Sequence, residues 1–120
     1  MSIASRFPTL HPMADIAWLA TTVDSEAQAR LLARAGVEAR LAACAQVEAI
    51  ASHYWWEGAL QSGAEWRITW KTGLRQLDAL HAHLAPLHPY ELPQWTHGTC
   101  GAAPAYAQWV ARQVAAPLQA

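Results

Sequence analysis

Ile16-Ala17-Trp18-Leu19-Ala20-Thr21-Thr22-Val23 runs directly into Asp24-Ser25-Glu26-Ala27-Gln28. The first stretch is a continuous apolar run rich in strand formers, and such a run predicts a central strand buried on both faces. Asp24-Ser25 ends it. Ser25 followed three residues later by Gln28 has the spacing of a capping box, so a helix starts there. Ala27, Leu31 and Ala35 then fall on an apolar face, and Arg34 and Glu38 on a polar one. Gly36 weakens that helix by about 1 kcal/mol relative to Ala, which predicts fraying or a bend.

Working outward, Arg40 to Ile50 returns to an apolar run and predicts a second strand that continues through Ser52-His53-Tyr54-Trp55-Trp56-Glu57. Gly58 and the Gln61-Ser62-Gly63 cluster predict the turn. Glu65-Trp66-Arg67-Ile68-Thr69-Trp70-Lys71 alternates polar and apolar, the period of a half-buried strand, so the two strands form a hairpin. Leu74, Leu77, Leu80, Leu84 and Leu87 fall at spacings of three and four and predict a second helix, ended by Pro86 and Pro89. Gln94 to Gly98 predicts a fourth strand, and Thr99 to Gly101 a plain turn. Ala105, Trp109, Val110 and Val114 share one face of a terminal helix closed by Pro117. The order β-α-β-β-α-β plus a last helix predicts an α+β, ferredoxin-like sandwich with helices on one face of an antiparallel sheet. The domain spans residues 14–116. Residues 1–13, with Pro8 and Pro12 and no periodicity, read as a disordered tail, and the patterned sequence begins just after Met13.

The chain has 120 residues, room for a single core. Apolar residues make up 53% and charged residues 14%. So little charge on so short a chain, with seven Trp, points to apolar surface buried between subunits. Net charge is −1, which gives no basic field for nucleic acid. No stretch reaches the roughly 18 apolar residues of a membrane span, and the N-terminus has no apolar run of signal-peptide length. Cys44 and Cys100 form no C-x-x-C, which leaves two thiols that read as buried and unpaired and fit a reducing, cytoplasmic compartment.

Four segments carry a family resemblance. They are Thr21-Thr22-Val23-Asp24-Ser25-Glu26-Ala27, Arg40-Leu41-Ala42-Ala43-Cys44, Ser52-His53-Tyr54-Trp55-Trp56-Glu57-Gly58, and Lys71-Thr72 with His88-Pro89-Tyr90-Glu91-Leu92-Pro93. In this order and spacing they resemble the CutA (divalent-cation tolerance) family, and Tyr106 with Trp109 resembles its C-terminal Y-x-x-W. The resemblance implies a homotrimer in which long strands pair across subunits, and a link to tolerance of divalent metals, copper above all. It implies no enzyme activity. The family is similar in architecture to PII signalling proteins, which bind small effectors in clefts between subunits. This chain departs from the pattern in three places. Thr21 stands where some members carry a Cys suited to copper, Leu87 where some carry a second His, and Ala59 where a Lys is usual. The residues best suited to soft Cu(I) are thus missing.

His88 is the first candidate for chemistry, because neutral imidazole suits Cu(II) or Zn(II). Glu91 and His97 are its possible co-ligands, for a weak site holding Cu2+ or another divalent cation. The alternative is that His88 orders the Pro-Tyr-Glu turn. His81 and His83 are two apart on a helix, about 200° around it, and cannot share an ion. Lys71 is the only lysine and calls for a partner, with Glu91 and Glu57 the candidates. Tyr54, Trp55, Trp56 and Tyr90 make an aromatic group around these acids, either a ligand cleft or the trimer seam. No H-E-x-x-H, phosphate-binding Gly loop or G-x-S-x-G occurs. Cys100 and His97 are three apart on a strand and face opposite sides, which excludes a nucleophile–base pair. An acylphosphatase-like hydrolase needs an Arg in the loop after the first strand, and Thr21 to Gln28 has none.

Three functional readings follow. One is a trimeric metal-responsive protein binding Cu(II) weakly through His88. The second is a PII-like module sensing a small anionic ligand at Lys71, Tyr54, Trp56, Glu57 and Tyr90. The third is a scaffold trimer that docks on another protein.

Overall fold

β1 (Ala14–Val23) forms where the apolar run predicts it and lies inside the sheet. The computed structural model describes residues 13–115. The N-terminal tail, apart from Met13, and the closing Pro117 lie outside the described residues. After β1 come α1 (Glu26–Glu38), β2 (Cys44–Trp56), β3 (Ala59–Thr72), α2 (Leu77–Leu84) with a 3-10 turn at Ala85–Leu87, β4 (Thr96–Ala102) and α3 (Pro104–Ala115). The sheet order is β2-β3-β1-β4, with every pair antiparallel. This is the ferredoxin-like arrangement.

Two of the boundaries differ from expectation for a physical reason. The hairpin turns at Glu57-Gly58 alone, and Gln61-Ser62-Gly63 lies within β3. Glu57 and Gly58 adopt φ of 50° and 78°. Two successive positive φ values match the right-handed twist of the flanking strands, so a two-residue turn suffices. β4 starts later than expected and takes in Thr99 to Gly101, because Ala17 to Asp15 of β1 offer them a ladder.

Side-chain parity divides the core. Leu19 and Val23 of β1 join Ile68 and Trp70 of β3 under Leu32 of α1 and Leu80 and Leu84 of α2. Ile16, of opposite parity, clusters instead with Ala102, Ala107 and Val110. α1 and α2 share one face as the ferredoxin-like pattern predicts, and the added terminal helix covers the opposite one. β1 is buried on both faces for this reason.

Within α1 the buried stripe is Ala29, Leu32, Ala33 and Gly36, while Leu31 is 57% exposed. The stripe is displaced from the expected one because it follows Trp70. Trp70 is fully buried, and its indole N–H donates to the Ala33 carbonyl at 3.3 Å. Ser25 caps α1 as its spacing predicts, accepting the Gln28 N–H at 3.1 Å. α2 is shorter than the leucine pattern, and Leu74 and Leu87 lie outside it and exposed.

α1 continues through Gly36 to Glu38. A Cβ on Gly36 would sit 2.8 Å from the Trp70 indole nitrogen and 3.0 Å from Leu80. Helix propensity alone predicts that Gly36→Ala stabilises by about 1 kcal/mol. The contact reverses that sign, and overpacking of this order costs about 1–3 kcal/mol. Urea unfolding of Gly36→Ala should show a lower midpoint than the parent; a higher one would mean the Trp70 pocket yields freely.

Candidate functional site

His88 follows the 3-10 turn in extended backbone, and its side chain turns back onto β1. Nε2 lies 2.8 Å from Thr21 Oγ1, and Nδ1 accepts the Tyr90 backbone N–H at 3.1 Å. A backbone N–H can only donate, so Nδ1 is the bare nitrogen of a neutral ring. Nε2 then carries the proton and donates to the Thr21 hydroxyl oxygen. Tyr90 and Trp95 pack edge-on against the ring, with centroids 5.1 and 5.3 Å away. Burial lowers the His88 pKa below the ordinary 6.5, and a contact from the Thr22 backbone opposes this.

Both nitrogens are thus engaged, and a metal at either one has to break a bond. Glu91 is exposed on the loop after His88. His97 is exposed on β4 opposite Leu19. Among the described residues no group of three or more His, Cys, Asp or Glu side chains is placed to hold an ion. Within one chain, then, His88, Glu91 and His97 are not gathered as a ligand set.

What the fold does gather is a cleft of about 730 Å³. One wall is the β2–β3 hairpin, with Tyr54, Trp56, Glu65 and Arg67. The other is the 89–94 loop, with Tyr90 and Glu91. Even-numbered positions of β2 share a side of the ribbon, so Tyr54 and Trp56 line the cleft. Trp55 faces away opposite Leu60 and is 73% exposed. The walls are tied together by the Tyr90 hydroxyl, which donates to Glu65 Oε2 at 2.6 Å. Burial, then the Glu65 carboxylate, pushes the Tyr90 phenol pKa well up, so it stays a donor. At the floor Thr22 Oγ1 donates to Gln94 Oε1 at 3.1 Å.

Two residues expected at an intersubunit cleft do not line this one. Glu57 occupies the hairpin tip, where its positive φ serves the turn. Lys71 is half-buried between Trp18 and Cys44 of the neighbouring strands, and it forms no ion pair with Glu57 or Glu91 among the described residues. Glu65 and Arg67 were not singled out in the sequence. The turn position would have found Glu65: a two-residue turn at Glu57-Gly58 sets Ile50 against Glu65 and Glu48 against Arg67. Neither cysteine is fully buried. Both are unpaired, and Cys44 Sγ lies 3.3 Å from the Tyr106 hydroxyl.

The lowered pKa of His88 links it to stability. The unfolded chain takes up the His88 proton more readily than the folded one. Its contribution is therefore full above pH 6.5 and lost as pH falls below that value. His88→Asn removes this pH dependence. The parent should exceed the variant by about 1–3 kcal/mol at neutral pH. Denaturant unfolding at pH 7.5 and pH 5 should show the gap narrowing; a gap independent of pH contradicts the neutral, doubly bonded ring.

Comparison with known proteins places this geometry. The family model described as CutA1 divalent ion tolerance protein matches residues 17–113. The chain is 37% identical over 73 residues to the divalent-cation tolerance protein CutA of Thermotoga maritima, covering 61% of this chain and 72% of that one. It is similar in structure to CutA from Synechococcus elongatus (TM-score 0.80, 41% identity), covering 84% of this chain and 91% of that one. The same protein complexed with a Bis-Tris molecule is similar at TM-score 0.75 and 40% identity, covering 83% and 94%. The chain belongs to the CutA1 divalent ion tolerance family.

Proposed function

We propose that this divalent-cation tolerance protein works as a non-enzymatic homotrimer whose functional site is a small-ligand cleft, with His88 structural and not a copper ligand. The observation that carries this reading is the double engagement of the His88 ring beside an open, aromatic-lined cleft. Cavities of a few hundred Å³ with a few convergent polar groups suit small ligands. The related cyanobacterial protein that holds Bis-Tris adds support for a small-molecule role. Thr21 bears on copper as well. Where some relatives offer a thiol beside the histidine, this chain offers a hydroxyl already bonded to it.

The projecting hairpin supports assembly. β1 pairs with β3 only as far as Trp66, so residues 59–65 of β3 pair with β2 alone. Trp55 and Leu60 on that ribbon are 73% and 62% exposed. A two-stranded ribbon with apolar side chains in water is marginal, and strands of neighbouring copies would supply the missing cover. Among the described residues no helix is long and apolar enough to cross a membrane. Two unpaired thiols suit the cytoplasmic setting that we include in the proposal.

Two measurements test it. Sedimentation at micromolar concentration should give about 39 kDa, three chains of 13.1 kDa, and a 13.1 kDa species would remove the assembly. Calorimetric titration of Cu(II) should give the same weak binding for the parent and for His88→Ala. Binding near or below micromolar Kd, about −8 kcal/mol, that disappears in His88→Ala would restore the metal centre.

A further inference from the structure

We propose that the cleft selects a small organic cation, an ammonium group carrying hydroxyls, and not an anion. This deepens the cleft reading and rests on it. It reverses the polarity expected from the sequence, because Lys71 lies outside the cleft.

The charges at the cleft point one way. Glu65 and Glu91 contribute carboxylates to its walls. Asp24 lies near enough to act on the Tyr90 phenol. Among the described residues Arg67 is the one permanent cation in the lining, and its guanidinium donates to Glu48 Oε1 at 3.1 Å. Its charge is therefore answered before any ligand arrives. His53 holds the Ser62 hydroxyl through Nδ1 at 2.8 Å.

The shape of the site supplies the rest. Tyr54, Trp56 and Tyr90 present aromatic rings, whose negative faces attract ammonium groups. Glu65 is oriented by the Tyr90 hydroxyl on Oε2, which leaves Oε1 to accept from a ligand. Gln94 bonds Thr22 through its oxygen, so its amide N–H groups remain to donate to a ligand hydroxyl. A bare divalent ion does not fit, since no group of three ligating side chains is gathered among the described residues.

Three probes on the full chain separate the possibilities. Choline is a permanent hydroxylated cation, 3,3-dimethyl-1-butanol is its neutral isostere, and inorganic phosphate is an anion. Binding is read by NMR from the Trp56 indole N–H and the Tyr90 amide. Choline should bind at least tenfold more tightly than the isostere, and phosphate should leave both signals unmoved. Glu65→Gln should cost choline about tenfold and cost the isostere much less, so that the preference between them shrinks. Glu48→Gln lies outside the cleft lining but frees the Arg67 charge, so it should weaken choline as well. Equal binding of choline and the isostere, or a preference for phosphate, overturns the cation assignment while the cleft reading stands. If no probe of any class moves either signal, the cleft reading fails and takes this proposal with it.

Discussion

The register of the β2–β3 hairpin is the constraint on which the rest of the molecule depends. It is set at a single place, where Glu57 and Gly58 take positive φ and close a two-residue turn. From there every pair follows, from Trp56 opposite Ala59 to Cys44 opposite Lys71. A slip of one residue would turn Ile68 and Trp70 out of the core, because side chains alternate across a strand. The same register carries Tyr54 and Trp56 to the cleft side and leaves Trp55 and Leu60 on the other. Core and site are thus two consequences of one turn.

His88 is the second organising contact, because it joins its own loop to a strand 67 residues earlier in the chain. Its ring ties β1 through Thr21 to the loop through the Tyr90 N–H, and rests on Trp95. This tie holds the loop where Tyr90 can reach Glu65 across the cleft. A histidine in such a place is costly to protonate and already engaged at both nitrogens, and the structural role proposed for it rests on that.

The hairpin also explains the unusual composition. A domain of this size with so little charge has apolar surface left over, and the structure puts much of it on the ribbon beyond β1 and at Leu92. α3 covers the far face at the other end of the sheet, packing on Ile16 and Ala102. The core is closed where helices lie on both faces and open where the ribbon leaves them. The cleft forms at that opening, between the ribbon and a loop held by His88.

Much of this was legible in the sequence, and the limits follow from physics. Periodicity and the Ser25 cap are local properties of the chain, so β1, α1, the hairpin, α2 and the terminal helix were all foreseen, and with them the ferredoxin-like order. Tyr54, Trp56 and Tyr90 were recognised as a group because their motif segments are distinctive. Which face α3 takes, the start of β4, and the reason for Gly36 were not legible, since each depends on a partner distant in sequence: Ile16, β1 and Trp70. Which charged side chain of β3 meets the 89–94 loop was not legible for the same reason. Lys71 and Glu65 lie on one strand, and only the register and the far loop decide which of them meets Tyr90. The sequence by itself determined the elements and their order, because those are written in short-range pattern. The tertiary structure alone decided what His88 bonds and which side chains line the cleft, because both are set by residues that meet only when the sheet closes.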